Sequence, residues 1–191
     1  MVIASIDPNP AVSGNGVEKL LAAGIDVVQL IDFDMAARSL NPGYFKRREE
    51  GRPYVRCKLA MSLDGRTALG NGESKWISNP QSRSDVQRLR ATSSAVLTGI
   101  ETVLADDPSL NVRLEDLSLD SEELSRNQLS LSRQPLRVIL DSQFRIPNTA
   151  KILEGPGEVK IFGVETPDSA KALTSNVEYR QLGASGKRVN L

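Results

Sequence analysis

Residues 94–105 read SAVLTGIETVLA, and this stretch decides the fold class. Its first part, residues 94–98, is a short apolar run typical of a buried strand. In the second part, Ile100, Val103 and Leu104 recur at helical spacing, which predicts the core-facing stripe of a short helix over residues 100–105. A strand that leads directly into a helix is the repeating unit of α/β proteins.

The same alternation continues on both sides of this stretch. A capping residue before Pro80 predicts a helix from residue 78 to about residue 92. Residues 54–61 alternate between apolar and polar side chains, which predicts a strand. Three later apolar runs predict strands over residues 136–140, 159–164 and 177–181. Helices that alternate with short apolar strands indicate an α/β fold with a mainly parallel, doubly wound sheet.

The beginning of the chain predicts a smaller α/β piece. Strands are expected there over residues 2–6 and 25–28, and helices over residues 17–23 and 34–40. Because elements this small cannot bury a core by themselves, we interpret them as the tail of a larger α/β domain. Residues 46–53 combine mixed charge with glycine and proline, which is typical of a solvated linker. We therefore predict two regions, residues 1–49 and residues 50–191.

Three further segments carry weaker signals. Residues 115–133 are polar, acidic and dotted with leucine, which favours a surface insertion; a partner-binding helix is the alternative. The glycine-containing pieces at 14–16 and 183–186 do not complete a dinucleotide-binding fingerprint between a strand and a helix. Neither piece therefore predicts a phosphate loop.

Composition excludes several kinds of chemistry. Histidine is absent and Cys57 is the single cysteine, so this chain cannot form a histidine base, a histidine-ligated metal site or a disulfide framework. Lys and Arg together number 24, as do Asp and Glu, so no overall charge attracts nucleic acid or anionic membranes. The sequence has no apolar run of about 18 residues and no basic leader, which predicts a cytoplasmic protein.

The densest polar stretch, residues 62–78, follows the strand predicted over residues 54–61. Open α/β sheets place ligands at the carboxyl ends of their strands, so this stretch is a candidate site. The Asp64-Gly65 pair inside it is, by itself, typical of a plain turn. Trp76, the only tryptophan, is either a plug of the core or a plate for a flat ligand ring.

Helical spacing selects two more groups of candidate residues. On the helix after Pro80, Val86 and Leu89 mark the expected buried face, and Arg90 lies beside it. An arginine there either extends to solvent or meets an anion in a cleft. On the next helix, Thr102 and Asp106 lie four residues apart, opposite the core stripe, where they are either solvated surface or ligand contacts.

Several motifs occur together in one order along the chain. They are LAMSLDGRT at 59–67, GESKWI at 72–77, DVQRLR at 85–90, LTG at 97–99 and TVLADDPSL at 102–110. In this order they resemble the bifunctional riboflavin-biosynthesis family, which joins a diaminohydroxyphosphoribosylaminopyrimidine deaminase to a 5-amino-6-(5-phosphoribosylamino)uracil reductase. DPNP at 7–10 and GNG at 14–16 are similar to the late part of the family's deaminase domain.

The resemblance implies a dihydrofolate-reductase-like reductase domain over residues 50–191, preceded over residues 1–49 by the remnant of a cytidine-deaminase-like domain. The zinc ligands of the family's deaminase are absent from this sequence, so zinc and deaminase chemistry belong to the missing part of the parent protein. The family's later glycine-rich cofactor segment and a substrate-binding glutamate also lie beyond the matching sequence. An incomplete reductase domain is therefore expected, with a non-catalytic fragment or interaction module as the alternative.

The resemblance also implies the cofactor and the residues of the site. NADPH is the expected hydride donor and a phosphoribosylaminopyrimidine the expected substrate, with neither nucleic acid nor membrane as partner and with a homo-oligomer left open. No catalytic acid or base is evident, since Asp106, the nearest candidate, has a binding role by resemblance. The resemblance implies cofactor contacts at Ala60, Trp76, Thr102, Asp106 and Ser142, and substrate contacts at Ser74, Arg90, Leu110 and Arg113.

Overall fold

The computed structural model describes residues 1–164, 175–185 and 188–189. The chain divides into two compact units, Met1–Leu59 and Ala60–Leu191. None of the helices in the described ranges has the length and apolar character needed to cross a lipid bilayer.

The first unit contains a two-stranded parallel sheet and three helices. Its elements are β1 (Val2–Ile3), α1 (Asn15–Ala22), β2 (Val28–Gln29), α2 (Asp34–Ser39) and α3 (Pro42–Glu50). β1 and β2 pair in parallel, with Val2 opposite Val28. The predicted order of strand, helix, strand and helix is confirmed, and α3 is an additional helix.

The charged segment at residues 46–53 is largely exposed, as expected of a solvated linker, but its first half is helical. Helix α3 extends through the first half of this segment to Glu50, and Gly51 follows it with a left-handed φ of 68°. Within the helix, Lys46 and Glu50 form an ion pair of 2.9 Å at a spacing of four residues. Opposite charges at this spacing favour a helix, and glycine accommodates the left-handed cap that ends it.

The second unit is built on a four-stranded parallel sheet in the order β3-β4-β5-β6. Its strands are β3 (Ala95–Gly99), β4 (Leu136–Leu140), β5 (Val159–Gly163) and β6 (Val177–Gln181). Leu97 lies opposite Val138, and Ile139 lies opposite Ile161. The predicted parallel sheet is confirmed, and all four strands end at one edge. A short antiparallel pair, β7 (Ala184–Ser185) with β8 (Arg188–Val189), follows.

The described part of this unit contains four helices: α4 (Pro80–Ala91), α5 (Ile100–Asp106), α6 (Ser121–Arg126) and α7 (Gln128–Leu131). The Asn79 side chain caps α4 by accepting a hydrogen bond of 2.8 Å from the Ser82 amide. Helices α6 and α7 lie within the predicted surface insertion, and none of their residues is buried. Leu117, just before them, is fully buried and anchors this segment.

The hydrophobic core lies between β4, β5 and α5. Ile139 and Ile161 are fully buried at its centre, and Ile100 and Val103 of α5 pack against them, as the sequence predicts. Leu104 is 44% exposed and lies outside this core. Two short 3-10 turns, Leu114–Asp116 and Lys151–Leu153, complete the unit.

Two strand predictions need correction. Residues 54–61 form no strand, and Val55, Leu59 and Met61 are 78%, 67% and 56% exposed. Alternating apolar and polar side chains give a strand one face for the core and one for solvent. A strand also needs a neighbouring strand to complete its backbone hydrogen bonds. β3 forms as predicted but is not buried, because it lies at the edge of the sheet with Leu97 61% exposed.

Candidate functional site

The carboxyl edge of the parallel sheet carries Ser142 and the beginning of the helix that holds Thr102 and Asp106. Helix α5 follows β3 without a break and carries Thr102 and Asp106, both exposed. Ser142 lies two residues after the end of β4, which is the parallel neighbour of β3. Since the two strands end side by side, Ser142 and the start of α5 lie at the edge where open α/β sheets bind ligands, and Thr102 and Asp106 follow along that helix.

The backbone at this edge adopts a conformation that side-chain-bearing residues rarely take. Asp107, Leu110 and Phe144 have positive φ angles of 43°, 53° and 52°. Asp107 and Leu110 follow α5, and Phe144 follows β4. Each such residue costs on the order of 1–3 kcal/mol, and such residues cluster at binding sites that the surrounding fold holds in place.

Asp107 fixes the end of α5 to the Lys151–Leu153 turn. Its carboxylate accepts a hydrogen bond of 2.9 Å from the Lys151 amide and pairs with the Lys151 ammonium at 3.1 Å. The amide hydrogen bond and then the ammonium lower the pKa of Asp107 below its usual value, and the charge of Lys75 adds to this effect.

The structure excludes one of the two interpretations of Trp76. The indole is 74% exposed, so it is not a plug of the core. The Arg83 guanidinium lies 4.4 Å from the centre of its ring and also donates a hydrogen bond of 2.7 Å to the Ser78 carbonyl. The ligand-plate interpretation stays a prediction, and Arg83 already covers part of the ring. Ala60 and Ser74, in the same irregular segment, are half-buried.

The Asp64-Gly65 pair forms a plain turn, which is the structure that the pair by itself predicts. The Ser62 amide donates a hydrogen bond of 2.9 Å to the Arg66 carbonyl, and the Gly65 amide donates one of 2.9 Å to the Ser62 carbonyl. Gly65 has a φ of 80°, a conformation that glycine adopts without strain. This part of the polar stretch therefore has a local structural role.

The two arginines expected to bind substrate are also brought together. Arg90 on α4 donates a hydrogen bond of 2.9 Å to the Asn111 carbonyl. Burial, and then the positive charge of Arg113, lower the pKa of Arg90, while the Asp116 carboxylate opposes this. The Arg113 Nε donates to Asp116 in a hydrogen bond of 2.5 Å. Leu110 lies just before this segment and packs partly against the core.

Sequence reasoning missed Gln87, which contacts both arginines in the folded protein. Val86 and Leu89 are half-buried, whereas Gln87 is the buried residue of α4, with 3% of its surface exposed. A polar residue in a helix gives no periodic signal of burial. The amide of Gln87 contacts both Arg90 and the backbone of Arg113.

Asp141 is a second residue that sequence reasoning missed, and its place directly after a strand and before Ser142 could have indicated it. Its side chain is fully buried, and Oδ2 accepts a hydrogen bond of 2.8 Å from the Ile146 amide. Oδ1 is buried without a hydrogen-bond partner among the described residues. The neighbouring Ser142 hydroxyl accepts a hydrogen bond of 3.0 Å from the Val189 amide.

Gly163 shapes the same edge at the end of β5. A Cβ atom there would lie 2.1 Å from the Tyr179 hydroxyl and 2.8 Å from the Asp141 carbonyl. The absence of a side chain thus lets Tyr179 cross β5 and meet the Phe144 ring edge-on, with 5.2 Å between the ring centres. In the ranges that the structure describes, no group of three or more His, Cys, Asp or Glu side chains is placed to hold a metal ion.

Comparison with known proteins identifies relatives of the whole arrangement. The chain is 49% identical over 158 residues to the riboflavin biosynthesis protein RibD of Escherichia coli. This match covers 82% of the chain and 42% of that protein. It is 37% identical over 191 residues to RibD of Buchnera aphidicola, which covers 100% of the chain and 50% of that protein. The chain thus spans about half the length of these curated relatives.

Solved structures agree with the sequence relatives. RibD of Acinetobacter baumannii superposes with a TM-score of 0.74 at 46% identity, over 96% of the chain and 48% of that protein. A diaminohydroxyphosphoribosylaminopyrimidine deaminase/5-amino-6-(5-phosphoribosylamino)uracil reductase of Thermotoga maritima gives a TM-score of 0.72 at 34% identity, over 93% of the chain and 45% of that protein. The expected reductase-domain fold is thereby confirmed. The profile of the RibD C-terminal domain matches residues 53–183, more than half of the chain, which therefore belongs to the RibD C-terminal domain family.

Proposed function

We propose that this chain carries part of an NADPH-dependent reductase of riboflavin biosynthesis. Its substrate is 5-amino-6-(5-phosphoribosylamino)uracil, and the reaction converts the ribosylamino group into a ribitylamino group by adding hydride to the C1′ carbon. Family membership supports this reaction class, and the Thermotoga maritima relative carries the reductase in its name. The deaminase-like interpretation of residues 1–49, the boundary at residue 50 and a cytoplasmic location belong to the same proposal.

The convergence of Arg90 and Arg113 is the observation that carries the proposal. The two arginines come from different elements, and the Gln87 amide oxygen accepts both from Arg90 Nη1 at 3.5 Å and from the Arg113 backbone amide at 3.3 Å. Bringing two cations together costs free energy, which an anion between them recovers. A phosphate monoester is the anion that paired arginines bind best, and the proposed substrate carries one.

The residues at the carboxyl edge of the sheet fit a nicotinamide dinucleotide. Trp76 offers an exposed aromatic face, and the side chains of Thr102 and Asp106 make no hydrogen bond within the described ranges. The buried Oδ1 of Asp141 can accept a further hydrogen bond beside Ser142. When bound, the reduced nicotinamide supplies the hydride. The residues that would hold the cofactor are Ala60, Trp76, Thr102, Asp106 and Ser142.

The decisive experiment measures NADPH oxidation with 5-amino-6-(5-phosphoribosylamino)uracil, and it identifies the product by mass. It is run on this chain and on a version extended to the length of the family's reductase domain. The extended version should oxidise NADPH and give the ribitylamino product at a rate that a metal chelator does not change. A folded extended version that neither binds NADPH nor consumes the substrate contradicts the proposal.

A non-catalytic role has one observation in its favour. Residues 54–61 form no strand, and Val55 and Leu59 in this segment are largely exposed. Exposed apolar side chains of this kind are typical of a surface that meets another protein. If the extended version is folded but inactive while the 191-residue chain binds a protein through this segment, the interaction-module interpretation replaces the enzyme.

A further inference from the structure

The buried amide of Gln87 touches each charged group around it. Its Oε1 accepts from the Arg113 backbone amide at 3.3 Å and from Arg90 Nη1 at 3.5 Å. Its Nε2 donates to the Asp116 carboxylate at 3.5 Å. The orientation of the amide follows from these partners, because the reversed amide would set N–H groups against N–H groups and oxygen against oxygen.

Through these contacts Gln87 holds Arg113 in two ways. One is direct, since Oε1 binds its backbone amide. The other runs through Asp116, because the carboxylate that receives Nε2 also receives the Nε of Arg113. Removing the Gln87 amide therefore releases both the backbone and the counter-charge of Arg113, together with one contact of Arg90.

The backbone on either side of Arg113 is held by other side chains. Gln134 bonds both backbone groups of Val112, accepting from its amide at 2.7 Å and donating to its carbonyl at 3.2 Å. Arg88 on α4 donates to the Leu117 carbonyl at 3.1 Å. The segment thus keeps its place along α4 without Gln87, and what Gln87 adds is the setting of the two arginines relative to each other.

The neutrality of the Gln87 amide also matters for binding. A carboxylate at this position could still accept from Arg90 and from the Arg113 amide, but it would lose the hydrogen bond to Asp116 and face that carboxylate instead. It would also neutralise part of the positive charge from within the protein. A neutral acceptor orients the same groups without adding a second carboxylate beside Asp116, which already pairs with Arg113.

We propose that Gln87 is the positioning residue of an anion subsite formed by Arg90 and Arg113, with a phosphate monoester as the class of ligand. The identity of the ligand as the substrate's phosphate rests on the proposed function, whereas the subsite itself can be tested with inorganic phosphate.

The test compares three variants with the wild-type 191-residue chain. Gln87→Glu keeps the shape and adds a charge, and Gln87→Met keeps the volume and removes the hydrogen bonds. Gln81→Glu is the matched control, since it makes the same chemical change at an exposed position of the same helix. Inorganic phosphate is titrated while the side-chain Nε–H NMR signals of Arg90 and Arg113 are followed, and circular dichroism reports folding.

In the wild type and in Gln81→Glu, phosphate should shift both arginine signals together. In Gln87→Glu the dissociation constant should rise about tenfold or more, and in Gln87→Met it should rise several-fold, with circular dichroism unchanged. In the extended enzyme the same variants should raise the substrate KM while kcat and the NADPH KM stay near their wild-type values. A residue with a merely structural role would not produce this separation.

Each contrary outcome overturns the inference. Wild-type phosphate affinity in folded Gln87 variants means that the amide does not position the arginines, and no phosphate-induced shift in the wild type means that no anion subsite exists. If both Gln87 variants unfold, the amide is a structural element of α4 and the inference is wrong. Phosphate binding that depends on Gln87 in an enzyme that does not reduce the substrate would refute the proposed function and leave the inference standing.

Discussion

Arg90 links its helix to the neighbouring loop and, in our proposal, also to the substrate. In the extended enzyme, Arg90→Ala should weaken substrate use by about 2–4 kcal/mol in transition-state free energy, the scale for losing a charge-assisted partner. NADPH affinity should change little, and Arg90→Lys should recover part of the loss because an ammonium cannot form a two-pronged contact. Steady-state kinetics against both substrates measures these effects, with the exposed Arg126→Ala as control.

The contrast with Asp106 makes this prediction specific. Asp106→Ala should weaken NADPH binding more than substrate use, which is the opposite pattern to Arg90→Ala. If Arg90→Ala leaves the substrate KM and kcat/KM at wild-type values, Arg90 serves only the hydrogen bond to the Asn111 carbonyl.

The pH dependence of stability can be tested at Asp107. Its pKa is lowered in the folded protein, so its contribution to the free energy of unfolding is present above the unfolded pKa of about 3.8 and is lost as the pH falls through the folded value. Asp107→Asn, which tolerates the left-handed backbone, should therefore destabilise the protein at pH 7 and make little difference below that window. Urea unfolding at neutral and acidic pH measures this, with the exposed Asp85→Asn as the control substitution.

At the scale of the element, Arg137 joins β4 to the loop that leads into β5. Its guanidinium is fully buried and donates to the carbonyls of Ile152, Glu154, Pro156 and Gly157 at 2.6–3.1 Å. Burial lowers the pKa of Arg137, yet these four carbonyls replace the water that the charge has lost. A single side chain thus holds a six-residue loop in place.

Removing this guanidinium should cost stability. Arg137→Met fills the space but leaves the carbonyls without donors, so we expect a loss of about 2–4 kcal/mol in the free energy of unfolding. Arg137→Lys should lie between the Met variant and the wild type, since an ammonium reaches fewer carbonyls. Chemical denaturation measures both, with the exposed Arg66→Met as control. A Met variant as stable as the wild type would mean that the loop holds itself in place.

For the whole molecule, the exposed apolar side chains predict self-association. Val55, Leu59, Met61 and Leu97 are each more than half exposed, and β3 lies at the edge of its sheet. An open strand edge and exposed apolar side chains each favour association between copies. Sedimentation velocity should show larger species as the concentration of the 191-residue chain rises, and a version extended to the full reductase domain should associate less. A sharp monomer at every concentration contradicts this expectation.

Elements that depend on local pattern could be predicted from the sequence. The strands β4 and β6 have the predicted bounds, and α5 begins at Ile100 with its predicted core residues Ile100 and Val103 buried. The cap and proline at Asn79-Pro80 start α4 as expected. These predictions succeed because periodicity, capping and turn chemistry act within a few residues of one another.

The order of residue types along the chain predicts the parallel α/β class and the family, and both predictions are confirmed. The substrate-binding role of the two arginines stays a prediction. Only the tertiary structure decided that residues 54–61 lack a ladder partner, that Trp76 is exposed, and that α4 buries Gln87. A strand needs its neighbour, and burial depends on what lies opposite a face. The buried Gln87 amide joins α4 to a segment more than twenty residues further along the chain. No local sequence pattern predicts such a long-range contact.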